Sequence, residues 1–253
     1  MTTRRPGFPA RVPMGFTVPS QASRQPVSAP ATARGMGLDS NAVRARMVQK
    51  LAAQGVSDAR VLAAMGIVER HRFVDSALAN QAYEDTSIPI GLGQTISKPN
   101  VVARMIELLL GGRTDPAGKL GRVLEIGTGC GYQAAVLSHV ATEVYSIERL
   151  RGLHEKAREN LRAFRLANVH LLFGDGMAGY ARGAPYAGII AAAGGASVPQ
   201  TWVDQLAVGG RIIAPTVMPT GQQALVVLEK TSSEMKQTVL EAVHFVPLKS
   251  GIA

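Results

Sequence analysis

With 253 residues and 26.6 kDa, the chain is long enough for one substantial core and short for two at ~150 residues per domain, and 46% hydrophobic against 18% charged residues reads as a globular protein rather than a disordered chain. No apolar run approaches the ~20 residues that cross a bilayer, and the single cysteine, Cys130, excludes an internal disulfide and a multi-cysteine metal site and points to a reducing, cytoplasmic compartment. The formal charge of +9 does not indicate a nucleic-acid binder, because aromatics are only 5% of the chain and no basic face with interleaved aromatics is legible.

Residues 1–40 hold six of the fourteen prolines and five arginines against one acid, Asp39. They show no apolar period and are predicted to form a flexible extension. Their arginine-rich, acid-poor character resembles a transit sequence, but the prolines oppose the amphipathic helix such a sequence needs. A single folded domain is predicted over 41–253. It begins with small packing helices: Val43, Met47 and Leu51 recur at four-residue spacing, and Ser57 is a candidate cap for a second helix carrying Val61, Leu62 and Met65. The glycine and proline texture of residues 80–97 predicts an ordered loop, followed by a helix over about 100–110.

Strands and helices then alternate. Short apolar runs at 122–126, 143–147, 169–173, 186–191 and 211–214 read as strands. Helices are predicted over 132–140, along the stripe Leu150, Leu153, Ala157, Leu161, Phe164, and around Trp202 and Leu206. This order predicts an α/β fold, a doubly wound, mostly parallel sheet with helices on both faces. Residues 224–229 and 239–245, joined by a polar link, predict an antiparallel edge at the end of the chain.

The first of these strands runs through Glu125 and Ile126 into Gly127-Thr128-Gly129-Cys130-Gly131 and opens a helix at Tyr132. A turn of this kind lets a ligand approach the backbone closely, although a tight turn needs the same glycines with no ligand at all. Two further acids sharpen the reading. Glu148 ends the next strand, about 20 residues past Gly127, where a carboxylate can hold ribose hydroxyls. Asp175, followed by Gly176, ends the third strand on the same carboxyl edge. A dinucleotide would bring a pyrophosphate and favour the wider Gly-x-Gly-x-x-Gly spacing. S-adenosylmethionine brings a sulfonium and an ammonium group instead, and the acids Glu125, Glu148 and Asp175 favour it.

Several segments together carry a resemblance: residues 70–75 (RHRFVD), 93–97 (GQTIS) with Pro99, 123–133 (VLEIGTGCGYQ), 174–176 (GDG) and 244–248 (HFVPL). With them the chain resembles the bacterial protein-L-isoaspartate O-methyltransferases over roughly residues 41–253. The glycine motif is common to many methyltransferases; GQTIS at this spacing before it is the specific element. The resemblance implies a Rossmann-like methyltransferase fold and transfer of a methyl group from S-adenosyl-L-methionine to the free α-carboxylate of isoaspartyl residues in damaged proteins, starting their repair through a succinimide. It implies Glu125, Gly127, Thr128, Gly129, Glu148, Asp175 and Gly176 as cofactor-binding residues. It also matches Ser97 to the family's active-site serine, as the donor that orients the acceptor carboxylate, whereas Ser97 two residues before Pro99 equally makes a helix cap.

An acceptor that is already an anion needs no general base, which accords with five scattered histidines and no metal-ligand spacing. Cys130 and Trp202 read as packing residues. The chain departs from the family pattern at Ala187 and Ala192, where an aspartate and a threonine are usual, which bears on the level of activity. Isoaspartyl proteins are the expected partners and a monomer the expected state, with neither nucleic acid nor membrane. A catalytically impaired S-adenosylmethionine-binding module, or a methyltransferase for RNA or a small molecule, are the alternatives.

Overall fold

The computed structural model describes residues 1–2, 41–112 and 114–253, so the extension expected over 1–40 lies outside the described residues apart from its first two. Two helices come first, α1 (Asn41–Ala53) and α2 (Ala59–Ile67), burying Met47, Leu51, Val61 and Met65. The cap of α2 is Asp58 rather than Ser57: its carboxylate accepts the Arg60 amide at 2.8 Å and the Val61 amide at 3.4 Å. Ser57 instead donates from its amide (2.6 Å) and its hydroxyl (3.0 Å) to Glu107, a partner 50 residues away that no local pattern reveals.

The segment expected as a loop contains a small antiparallel hairpin, β1 (Ile88–Gly91) and β2 (Gln94–Ile96). With only four and three residues, Pro89 among them, the strands are too short to show a period. Leu92 at the tip takes φ +52 between Gly91 and Gly93.

Beyond α3 (Pro99–Leu110), the strands β3 (Leu120–Ile126), β4 (Ala141–Glu148), β5 (Val169–Phe173), β6 (Tyr186–Ala191) and β7 (Leu206–Val217) are parallel. They alternate with α4 (Tyr132–Val140), α5 (Arg151–Arg162) and α6 (Gln200–Gln205). The last two strands, β8 (Gln223–Lys230) and β9 (Met235–Val243), are antiparallel, and the sheet order is β5-β4-β3-β6-β7-β8-β9. This is the expected doubly wound, mostly parallel sheet with an antiparallel edge.

Strand alternation divides the core between the two faces. Val123, Ile190 and Ile213 pack with α1 to α5 on one side, while Leu124, Ile189 and Ile212 pack with Trp202 and Leu206 on the other. Among the described residues helices therefore lie on both faces but unequally, since the second carries only the six-residue α6 and the 3-10 turns between β5 and β6. The chain leaves β3 toward β4 on one side and has β6 on the other, so the crevice beyond the carboxyl end of β3 is the topological switch point where this architecture receives ligands.

Candidate functional site

The turn after β3 needs its glycines for conformation alone: Gly127, Gly129 and Gly131 all have positive φ, at +89, +57 and +92, a region that other residues enter only with strain. A Cβ on Gly131 would also meet Leu161 of α5 at 3.0 Å. The turn is pinned from the neighbouring strand, because the amides of Gly127 and Thr128 donate to the Ile147 carbonyl at 2.9 and 3.2 Å.

A cavity of about 450 Å³ opens beside this turn, lined by Gly127, Gly129, Glu148, Leu150, Leu153 and Gly176 among others. Glu148 is 5% exposed, and its carboxylate accepts the Gly129 amide through Oε2 and the Leu150 amide through Oε1, both at 2.9 Å. Each oxygen keeps a second lone pair, so a fixed carboxylate faces this space.

Two elements distant in sequence close that space. The β1–β2 hairpin contributes Ile90, Leu92, Gly93, Gln94 and Thr95, and Lys156 of α5 ties it down by donating to the Ile90 carbonyl at 2.9 Å. From the other side come Val246 to Lys249. That segment is hydrogen-bonded to Gly194, whose amide donates to the Val246 carbonyl and whose carbonyl accepts the Leu248 amide, both at 2.8 Å.

Two of the expected acids stand outside the cavity wall. Asp175 accepts the Met177 amide at 2.9 Å and the Gly251 amide at 2.6 Å, so its carboxylate caps a turn and anchors the chain end. Glu125 is fully buried and points to the α1 to α5 side. It lies level with Ser146 in the parallel register, accepts from the Ser146 hydroxyl, and that hydroxyl lies 2.6 Å from Thr128 Oγ1. Burial pushes the Glu125 carboxyl up to about 8, against the opposing pull of Ser146. Its Oε1 and the Nε2 of Gln133 have no hydrogen-bond partner among the described residues. This polar group beneath the turn was not legible in the sequence, because it needs two adjacent strands in register.

A second cavity, of about 630 Å³, carries Ser97 together with Lys98, Gln223, His244 and Phe245. The two cavities share Thr95, Ala192 and Val246, and a small space of about 40 Å³, lined by Ser97, Thr128 and Gly129 among others, shares Thr95 and Ala192 with both. Ser97 does not cap α3: the N-cap position is Lys98 with Pro99 beginning the helix, and no side chain caps it. Among the described residues the Ser97 hydroxyl has no hydrogen-bond partner, while its carbonyl accepts Arg70 Nη2 at 2.7 Å. Gln223, which sequence reasoning missed, grips the backbone of Phe245 twice, accepting its amide at 2.7 Å and donating to its carbonyl at 3.1 Å.

The two departures from the resemblance fall apart in space. Ala187 stands near the amino end of β6 against Gly121 and lines neither cavity, whereas Ala192 lines both. Trp202 is buried, and its indole donates to the Gly176 carbonyl at 2.8 Å. The Cys130 thiol is buried and pushed up to about 11, so it is an inert packing group.

The family model described as protein-L-isoaspartate(D-aspartate) O-methyltransferase matches residues 42–253. Among curated relatives, the protein-L-isoaspartate O-methyltransferases of Methylibium petroleiphilum and Leptothrix cholodnii are 61% and 58% identical over 87% and 88% of this chain, covering 82% and 78% of their own lengths. A solved protein-L-isoaspartate O-methyltransferase superposes with a TM-score of 0.73 at 30% identity, over 83% of this chain and 67% of its own. A candidate enzyme of that name from Plasmodium falciparum, solved with S-adenosyl-L-homocysteine, has the same fold at a TM-score of 0.67 and 23% identity, over 81% of this chain and 98% of its own.

Proposed function

The chain belongs to the protein-L-isoaspartate(D-aspartate) O-methyltransferase family, and on that premise we propose that its two cavities divide the reaction between cofactor and acceptor. It is an S-adenosyl-L-methionine-dependent protein carboxyl O-methyltransferase. It methylates the free α-carboxylate of L-isoaspartyl residues in damaged proteins and so initiates their repair.

The glycine-turn cavity suits S-adenosyl-L-methionine by its donor set. The fixed carboxylate of Glu148 receives ribose hydroxyls, Gly127, Gly129 and Gly176 let the backbone come close, and Leu150 and Leu153 flank the apolar part. When bound, the cofactor supplies a methyl group carried on a sulfonium. Thr128 and Glu125 hold the turn from beneath, and Asp175 anchors the segment that covers the cavity.

In the neighbouring cavity the Ser97 hydroxyl donates to the acceptor carboxylate and fixes one oxygen toward the shared boundary. An α-carboxyl group with an ordinary pKa of about 3.5 is ionised at neutral pH, so the site has no proton to remove. What the protein supplies is position and exclusion of water, by the hairpin and by Val246 to Lys249. The observation that carries this reading is the junction at Thr95, Ala192 and Val246, where the wall of one cavity is also the wall of the other.

No helix among the described residues is long and apolar enough to cross a membrane, and Cys130 is a buried free thiol. Action in the cytoplasm, as a monomer, on protein substrates and without nucleic acid or membrane, belongs to the same proposal.

Methyl transfer from labelled S-adenosyl-L-methionine to an isoaspartyl peptide, run beside its ordinary aspartyl twin, tests the reading. Selective labelling of the isoaspartyl peptide is expected. Equal labelling of both would point to another acceptor class, and none with the cofactor bound would point to an inactive binding module.

A further inference from the structure

Arg70 opens the segment RHRFVD and is given no part in the reaction above. It begins a 3-10 turn (Arg70–Phe73) and is 0% exposed, an unusual place for a guanidinium. Its Nε donates to the Ala82 carbonyl and its Nη2 to the Ser97 carbonyl, each at 2.7 Å. Nη1 is buried with no partner among the described residues. The guanidinium lies over the Tyr132 ring, 4.6 Å from its centroid.

No carboxylate among the described residues reaches Arg70 at ion-pair distance. The ionisable groups around it are Tyr132 and Cys130, which burial holds up at about 12 and about 11 and therefore neutral at pH 7, and the more distant Asp85. Asp85 is exposed and engaged by the Asn100 amide at 2.9 Å. An arginine keeps its proton even when buried. Among the described residues, therefore, no carboxylate pairs with this interior cation, an unfavourable arrangement unless an anion comes to it. Its link to the acceptor cavity is Ser97, whose carbonyl Arg70 grips and which lines that cavity.

We infer that Arg70 is a positioning residue for the acceptor: it fixes Ser97 from beneath and supplies the buried positive potential that makes the cavity prefer a carboxylate. This rests on the placing of the acceptor at Ser97. In general, at an effective dielectric of ~20, a unit charge within about 10 Å of a bound anion gives roughly a 10- to 100-fold preference for it.

The test compares an isoaspartyl peptide with its α-carboxamide twin, both titrated onto the full chain saturated with S-adenosyl-L-homocysteine. The twin keeps an oxygen for Ser97 and loses only the charge. Wild type should favour the carboxylate, and in Arg70→Met and Arg70→Gln that preference should fall ~10- to 100-fold, while affinity for the twin and for S-adenosyl-L-homocysteine stays within about threefold. Equal weakening of both peptides would mean that Arg70 only holds the fold, and would overturn the inference.

A readout on wild type guards against variants that do not fold. A buried charge is little screened, so the preference should change less than ~3-fold between ~0.05 and ~0.5 M salt. A tenfold fall would assign it to the exposed Lys98 and overturn the inference. Ser97→Ala, measured alongside, separates the two readings. If it keeps full turnover while the Arg70 variants lose the preference, the hydrogen-bonding role of Ser97 and its fixing by Arg70 fail and only the charge preference set by Arg70 stands; the reverse pattern removes Arg70 and leaves Ser97.

Discussion

At Ser97 the structure separates two roles that the sequence leaves together. Because Lys98 occupies the N-cap of α3 with no side chain capping it, Ser97→Ala has no cap to lose, and its unfolding free energy should stay within about 0.5 kcal/mol of wild type. Its kcat/KM for an isoaspartyl peptide should drop ~10- to 1000-fold, the effect of losing one positioning hydrogen bond in a closed site. A drop in stability with unchanged kcat/KM would sink the assignment. Glu148→Ala should weaken S-adenosyl-L-methionine binding by ~1.5–3 kcal/mol in a calorimetric titration, and unchanged affinity would mean the ribose is held elsewhere. Glu125 makes a different kind of prediction. Its carboxyl, held at about 8 by burial, keeps its proton in the folded protein over a range where the unfolded chain, with an ordinary value near 4.5, has released it. Stability from this group is therefore full below pH 4.5 and is lost as pH rises toward 8, by at most ~1.4 kcal/mol per unit. Glu125→Gln should flatten that slope in denaturant titrations at several pH values, and a variant as steep as wild type would show that the carboxyl is ionised in the native state.

Among the elements, the long strands and helices announce themselves, while the pieces that close the site do not. The stripe Leu153, Ala157, Leu161 predicts α5 and is the face it buries. The β1–β2 hairpin escapes prediction because strands of four and three residues have no period, and its tip is set by Leu92 at positive φ. The passage of residues 244–248 across the cavities depends on Gln223, a surface-type residue by sequence whose amide imitates a strand partner for Phe245. Removing both hydrogen bonds with Gln223→Leu should let that segment move. The expected result is a kcat/KM for peptide lowered about tenfold through KM, with S-adenosyl-L-methionine affinity within about threefold. A fall in kcat alone would argue that Gln223 acts on the chemistry instead.

For the whole molecule, the family match begins at residue 42, and residues 1–40 have no apolar stripe to bury. We propose that 41–253 is the complete folding and catalytic unit. Deleting 1–40 should leave both melting temperature and turnover nearly unchanged, and a large fall in either would show that the segment docks. The sequence by itself determined a mostly parallel sheet with an antiparallel edge and the glycine turn, because these follow from local period and from backbone freedom at Gly127, Gly129 and Gly131, whereas the strand order came only with the structure. It also named Ser97 and Glu148 as site candidates, Ser97 through the resemblance and Glu148 through its place at a strand end. Only the tertiary structure decided which side chains face which space. Glu125 sits one residue from Ile126, which lines the cavity, yet strand alternation turns its carboxyl to the opposite side of the sheet, where Ser146 of the neighbouring strand meets it. Asp175 stands at the expected strand end but is claimed by Gly251, 76 residues on. Arg70 reads as one more basic residue until folding brings Ala82 and Ser97 over it. These outcomes depend on contacts between residues far apart in the chain, and a periodicity confined to neighbours carries no information about them.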